Sequence, residues 1–390
     1  MNIFITFYNL DSSRTLFISA GFFFTRHLLE GDDLFISQTE TKEEVEKIFS
    51  EIPANTNRIY CTLNYSFETE LIADFVDDRW VIGGPEAVEI IREGTSPLLT
   101  RCELTAKSFE SMCEVPPSTK FTYYFEDLVA KLNPRAVSYP CAIGSGCYWN
   151  NCTFCSFHLY SGETSYKTKA NITEIINNLK PLSVPSQVHT CVSSCSSKVL
   201  DQLLAASVPD GIILSEFIRA DEDILEFIKT TNQTAFKNHF ALLGMETFSQ
   251  SVSDRLNKGA SVANYLLLLE YILSRGGSVA LYIMTWIPFV DEIIVNESLP
   301  VIKELERIVS KYPKERFSVI NSGEVLWPTE ELAQKMGNGL KTYKSFKHMY
   351  GALIEPGSTI AKNNQLINQA LQDSSLPIRG ETLKMTYSKL

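Results

Sequence analysis

Gly144-Ser145-Gly146-Cys147-Tyr148-Trp149-Asn150-Asn151-Cys152-Thr153-Phe154-Cys155 packs three thiols into nine residues beside two glycines. Three thiolates on one short loop need a counter-charge, which a metal ion or an iron-sulfur cluster supplies. The stretch follows a strand-like run, Ala136 to Ala142. That puts it beyond the carboxyl end of a strand, where barrel and doubly wound enzymes carry their chemistry. Tyr148, Trp149 and Phe154 are suited to shielding such a site from water. The spacing C-x4-C-x2-C supplies one thiolate fewer than a fully protein-ligated cubane takes, so one iron stays open to a substrate or cofactor. A zinc site is also legible. His158 lies three residues past Cys155, and Cys147, Cys152, Cys155 and His158 make a Cys3His set that satisfies zinc.

The loop resembles the cluster loop of the radical S-adenosylmethionine (SAM) enzymes, C-x3-C-x-aromatic-C, with Phe154 as the aromatic and one extra residue in the first gap. The fuller string Gly-Cys-Tyr-Trp-Asn-Asn-Cys-Thr-Phe-Cys resembles one branch, the cobalamin-type maturases of ribosomally made peptides (RiPPs). The resemblance implies a [4Fe-4S] cluster on Cys147, Cys152 and Cys155, with SAM on the open iron and hydrogen abstraction from an unactivated carbon. It further implies a precursor peptide as substrate and an external one-electron reductant such as flavodoxin or ferredoxin. Epimerisation, backbone excision, methylation and cross-linking are not separated by these residues. The other reading is a non-catalytic peptide- or protein-binding chain with a structural Cys3His zinc site.

Further strand-like runs follow at Gln187 to Val192, Gly211 to Phe217, His239 to Leu243, Ser278 to Trp286 and Arg316 to Asn321, with amphipathic helices between them. Asn171 can cap one helix, with Glu174 three residues on; Ser261 can cap another that stops at Gly276-Gly277. Pro300 suits the first turn of a third. Six strand-helix units are too few to close as the eight-fold barrel does. The fold class is therefore α/β, with a partial (β/α)6 barrel over residues 136–325, open at one side to a large substrate, a form that resembles the radical SAM fold.

Before it, residues 1–105 read as a small open parallel-sheet, Rossmann-like domain, with strands at Asn2 to Tyr8, Asp33 to Ser37, Arg58 to Leu63 and Arg79 to Ile82, the last running into Gly83-Gly84-Pro85. This region resembles a cobalamin-binding domain. The family's Asp-x-His-x-x-Gly signature is missing, and His27 has no aspartate two residues before it. The resemblance then implies a degenerate domain that binds no cobalamin or binds it without a histidine ligand, with docking of a protein or peptide as its other role. Residues 106–135 form a connection, and residues 326–390 a C-terminal cap or tail. No cysteine follows Cys195, so no auxiliary cluster can be built in that tail.

The strand ends nominate the cofactor contacts. Leu243-Gly244-Met245-Glu246-Thr247 and Leu256-Asn257-Lys258-Gly259 resemble the family's Gly-x-Glu-Ser segment and its Asn-Lys-Gly partner. That likeness makes Glu246 and Lys258 SAM contacts, Lys258 pairing with the carboxylate. Arg219 matches an arginine at the end of the family's third strand, Trp286 stands where the fifth-strand segment has glycine, and Phe154 is placed to meet the adenine. Cys191 and Cys195 flank the end of the second barrel strand. Either is a hydrogen-atom donor to a substrate radical or an inert buried cysteine.

Composition sets the outer limits. A net charge of −11 and a pI near 5.1 argue against a nucleic-acid backbone as partner. The longest apolar stretch, Leu16 to Phe24, is too short to span a bilayer. No charged segment with a cleavage site begins the chain, which reads as cytoplasmic. Nine cysteines, an odd count, suit a reducing compartment and metal chemistry better than a disulfide framework.

Overall fold

The computed structural model describes residues 2–10, 15–18, 33–38, 42–63, 66–84, 87, 90–91, 94, 96–105, 129–130, 132–141, 143–145, 147–155, 165–166, 169–177, 179, 181–190, 194–284, 287, 289–321, 341–344, 350–353 and 357–379. The chain opens with β1 (Asn2–Leu10), β2 (Thr15–Ile18), β3 (Asp33–Gln38), α1 (Lys42–Ser50), β4 (Arg58–Thr62), α2 (Ser66–Ile72), β5 (Trp80–Gly83) and β6 (Glu103–Leu104). Leaving β2 aside, these strands are parallel and lie in the order β3-β1-β4-β5-β6. That is the flavodoxin-like order, whose ligand crevice opens at the carboxyl ends of the first and third strands. Ile3, Ile5, Ile59, Cys61, Trp80 and Ile82, alternating along their strands, bury one face with Ile72 and Leu98.

β1 is longer than this sheet needs, and its extra length joins the two halves of the molecule. Ile3 pairs with Asp33 of β3 and Ile59 of β4, and Tyr8 pairs with Gln38 of β3 and Ile18 of β2. A strand has two edges, so β4 and β2 share the one opposite β3, β4 along Asn2 to Ile5 and β2 along Tyr8 to Leu10. β2 is antiparallel to β1 and therefore runs back toward the carboxyl end of β4. β7 (Ala136–Pro140) pairs parallel with β2 and points the same way. The carboxyl edges of the two parallel sheets consequently face each other. At β1 they are separated by the rise from Ile5 to Tyr8, roughly 10 Å.

After β7 come β8 (Gly144–Ser145), β9 (Ser165–Tyr166), α3 (Lys169–Asn177), β10 (Ser186–His189), α4 (Ser197–Ala205), β11 (Ile212–Ile218), α5 (Glu222–Thr230), β12 (His239–Glu246), α6 (Gln250–Arg255), α7 (Val262–Ser274), β13 (Ser278–Ile283), α8 (Glu292–Val309), β14 (Phe317–Asn321), β15 (Lys341–Lys344), β16 (Tyr350–Leu353), α9 (Thr359–Asp373) and β17 (Ile378–Arg379). Strands β7, β10, β11, β12, β13, β14 and β17 are parallel neighbours in that order and curl into a half-barrel. All six strands read from the sequence are present. The seventh, β17, comes from the polar C-terminal segment, whose helix α9 buries only Ala361, Asn363, Asn364, Ile367 and Leu371.

Ser261 caps α7, accepting from Asn264 N at 3.0 Å, and Gly276 beyond its end holds φ at +89°. Two helix starts differ from the sequence reading. α3 begins at Lys169, ahead of Asn171. α8 begins at Glu292 and carries Pro300 in its interior, because Asp291 caps it by accepting from Ile294 N at 3.0 Å. A cap and an apolar run outweigh the one hydrogen bond that an interior proline removes.

Alternation sorts the barrel side chains. Ile212, Leu214 and Ile218 of β11, like Ala241 and Leu243 of β12, lie in the apolar layer under the helices. The other face of the sheet carries His189, Phe217 and Tyr282, with ring centroids 5.5 Å and 5.7 Å apart in succession, and His189 Nδ1 lies 2.9 Å from Ser215 Oγ. Among the described residues no helix is long and apolar enough to cross a membrane.

α9 is tied to the segment after β13 by an amide. Asn364 Oδ1 accepts from Ile287 N at 2.8 Å, and its Nδ2 donates to Ile287 O at 2.9 Å. Asn364→Leu leaves both backbone groups buried and unpaired, and a loss of about 2 kcal/mol or more is expected in urea unfolding. Burial also holds the His189 imidazole below its ordinary pKa, against a smaller opposing effect of the Ser215 backbone. The unfolded chain takes up that proton as pH falls through about 6.5 while the folded chain does not, so stability declines toward acid. Thermal melts from about pH 7 to about pH 5 should show this decline, with a smaller slope in His189→Gln; an unchanged slope would assign it to another group.

Candidate active site

The cysteine loop leaves the carboxyl end of β7 and is tied down on both sides. Cys141 N donates to His189 O at 2.6 Å, Cys147 bridges Ser194, and Cys195 N donates to Phe217 O at 2.8 Å. The short segment 194–195 thus extends the sheet past β10 and links the start of the loop to β11. On the far side the loop meets the turn after α6. Thr153 N donates to Leu256 O at 3.0 Å, Asn257 Nδ2 to Asn151 O at 2.8 Å, and Trp149 Nε1 to Asn257 O at 2.9 Å.

That turn holds Asn257 and Gly259 at φ of +51° and +74°, values that asparagine and glycine tolerate better than other residues. Between them it presents Lys258. The ammonium lies 3.4 Å from Glu246 Oε1 and 5.5 Å above the centre of the Phe154 ring. Glu246 ends β12 behind a bulge, itself at φ +70°. Gly244 leaves room for the pair, since a Cβ there would stand 2.5 Å from Glu246 Oε1 and 3.3 Å from Lys258 Nζ. Burial opposes the charge on Lys258, but Tyr265, Glu246 and Cys152, acids facing it, outweigh that and hold its pKa above the ordinary lysine value.

Arg219 is 5% exposed. It forks onto Asp221 at 3.2 Å and 3.1 Å, donates to Lys258 O at 2.6 Å, and stacks 4.6 Å above the Trp149 ring. Asp221 stands at the N-cap of α5 yet makes no cap bond, because its oxygens are taken by Arg219 and by the hydroxyl of Tyr148. Burial, reinforced by that bond, raises the Tyr148 hydroxyl well above the usual tyrosine pKa.

Cys147, Cys152 and Cys155 are half-buried and free of disulfides. Burial pushes the Cys152 thiol up, while Lys258 and Arg219 pull it back. Among the described residues no three Cys, His, Asp or Glu side chains stand close enough together to hold a metal ion. The donor chemistry of the loop fits a [4Fe-4S] cluster: three thiols on one loop, with two buried cations facing one of them.

Of the residues read as site residues, Phe154, Arg219, Glu246, Lys258 and the three loop cysteines come together at the carboxyl ends of β7, β11 and β12. Cys195 is 0% exposed within the apolar layer beside Val188, Val199 and Leu214. Cys191, His158 and Trp286 lie outside the described residues. Sequence reasoning missed Asp221 and the buried Tyr265, whose hydroxyl has no hydrogen-bond partner among the described residues. It quoted Asn257 and Gly259 without their role, which the affinity of both residue types for positive φ signals.

No protein-family model matches the chain, and no curated protein does. Solved structures match it over nearly its whole length. The cobalamin-dependent S-adenosylmethionine radical enzyme OxsB, with aqua-cobalamin and S-adenosylmethionine bound, is similar at a TM-score of 0.60 and 12% identity, covering 94% of this chain and 66% of that one. Its apo form gives 0.61 at 11% identity, over 93% and 65%. The radical S-adenosylmethionine methyltransferase TsrM from Kitasatospora setae, with cobalamin and a [4Fe-4S] cluster bound, gives 0.57 at 11% identity, over 95% and 91%. The chain spans about two thirds of the length of OxsB. The fold of this chain, a flavodoxin-like sheet whose carboxyl edge faces that of a half-barrel, is thus similar to the fold of the cobalamin-dependent radical SAM enzyme OxsB and of the radical SAM methyltransferase TsrM.

Proposed function

We propose that the chain is a radical SAM enzyme that holds a [4Fe-4S] cluster on Cys147, Cys152 and Cys155 and acts on a ribosomally made precursor peptide. One observation carries the reading. The cysteine loop and the Asn257–Gly259 turn, about a hundred residues apart in sequence, are bonded to each other so that Cys152 faces Lys258 and Arg219 in the cleft between the two sheets. When bound, the cluster supplies one electron, drawn from a flavodoxin- or ferredoxin-like reductant, for cleavage of the SAM sulfonium.

The chain's own residues do the rest. Lys258 offers its ammonium to the SAM carboxylate, and Glu246 holds that ammonium in place before SAM arrives. Arg219 holds the carbonyl of Lys258 and so fixes the turn. Phe154 covers the lysine side chain and excludes water. β17 is the last strand of the sheet among the described residues, and a half-barrel that does not close is suited to a large substrate such as a peptide. The peptide itself is supported by the Gly-Cys-Tyr-Trp string alone.

The flavodoxin-like domain takes no histidine-ligated cobalamin in this reading. Of the five histidines, only His27 precedes the half-barrel, and it lies outside any Asp-x-His-x-x-Gly signature. A protein reconstituted anaerobically is expected to hold about four irons and to convert SAM to 5′-deoxyadenosine under dithionite. Cys147→Ala, Cys152→Ala and Cys155→Ala should each abolish both, and Cys195→Ala neither. Stoichiometric zinc with no iron would refute the enzyme reading in favour of a Cys3His site. Hydroxocobalamin retained on gel filtration with a histidine-on absorption spectrum would overturn the reading of the N-terminal domain.

A further inference from the structure

We propose that Trp149 is a positioning residue that locks the cysteine loop to the Asn257–Gly259 turn, making loop order and the placement of the Lys258 ammonium a single property. The proposal rests on the reading of Lys258 as a SAM contact. Three contacts carry it: two go to the residues flanking Lys258, and the third to an arginine bonded to its carbonyl. The indole Nε1 donates to Asn257 O at 2.9 Å. The six-membered ring lies directly on Gly259, where a Cβ would stand 2.1 Å from Cζ2, 2.3 Å from Cη2 and 2.6 Å from Cε2. Arg219, stacked 4.6 Å above the same ring, donates to Lys258 O at 2.6 Å.

A tryptophan that only shielded thiols from water would need neither the N–H bond nor a bare glycine beneath it. This one is matched to its seat, and Gly259 has two reasons to lack a side chain: its positive φ and the ring. Because the loop and the turn move together, whatever SAM gains by ordering Lys258 it gains also by ordering the loop. The converse holds by linkage.

The chain has four tryptophans, so 5-fluorotryptophan labelling gives four 19F signals, and Trp149→Phe assigns the relevant one. In the cluster-free protein, Gly259→Ala is expected to move the Trp149 signal and leave Trp80 in place. Its loss of thermal stability should shrink in a Trp149→Ala background, where only the backbone strain remains. In the reconstituted protein, Trp149→Phe removes the indole donor together with the fused ring over Gly259. The KM for SAM in dithionite-driven 5′-deoxyadenosine formation should rise roughly tenfold or more, at least the worth of one hydrogen bond, with kcat and iron content little changed. An unmoved Trp149 signal, additive stability losses, or lost iron at unchanged KM would each overturn the proposal. A wild-type protein without iron or SAM cleavage would instead overturn the enzyme reading, and the 19F coupling would still report on the lock.

Discussion

Everything at the site depends on one edge of one strand. β1 gives its first residues to β4 and its last to β2, and because β2 runs backward, the half-barrel hangs with its carboxyl edge toward that of the N-terminal sheet. Open α/β sheets bind ligands beyond the carboxyl ends of their strands, and the flavodoxin-like order adds a crevice between its first and third strands. Here those strands are β1 and β4, whose shared boundary is where β2 departs. Two ligand-binding edges are thus superposed by topology, before any side chain is considered.

Within that cleft the chemistry is set by what burial does to charge. Lys258 and Arg219 are 7% and 5% exposed, and a buried cation is costly unless it is paired. Glu246 pairs one and Asp221 the other. Each acid is held in turn: Glu246 by the space over Gly244, and Asp221 by the Tyr148 hydroxyl from the cysteine loop. The network is therefore mutual. The cations make the loop a better place for thiolates, and the loop supplies Tyr148 and Trp149 to keep the cations ordered.

Much of this was legible in the sequence because it is local. Six barrel strands, the Ser261 cap and the three cysteines each follow from residues a few positions apart. The rest was hidden because it is not. β2 pairs with strands on both sides across a long stretch of chain, and its short Thr-Leu-Phe-Ile run carries no marker of that. β17 is two residues long behind a polar helix. Pro300 was the stronger local start signal, yet Asp291 won because a cap satisfies a backbone donor that proline only omits. Arg219 was chosen from its likeness to an arginine at the end of the family's third strand, but its role in holding Lys258 O required the fold.

The violations of local rules point the same way. Among the described residues four that are not glycine have positive φ, and three of them, Asn150, Glu246 and Asn257, lie in the cysteine loop, at the end of β12 and in the lysine turn. Glutamate gains nothing from that conformation, which costs of order 1–3 kcal/mol and persists only where the surroundings over-determine it. Asp221 likewise gives up a helix cap, worth about 1 kcal/mol, to hold Arg219 and Tyr148. A sheet under no demand beyond stability would relax both. Their concentration around one lysine and one loop, in the cleft that topology prepares, is what a fold shows when its free energy has been diverted to holding a site.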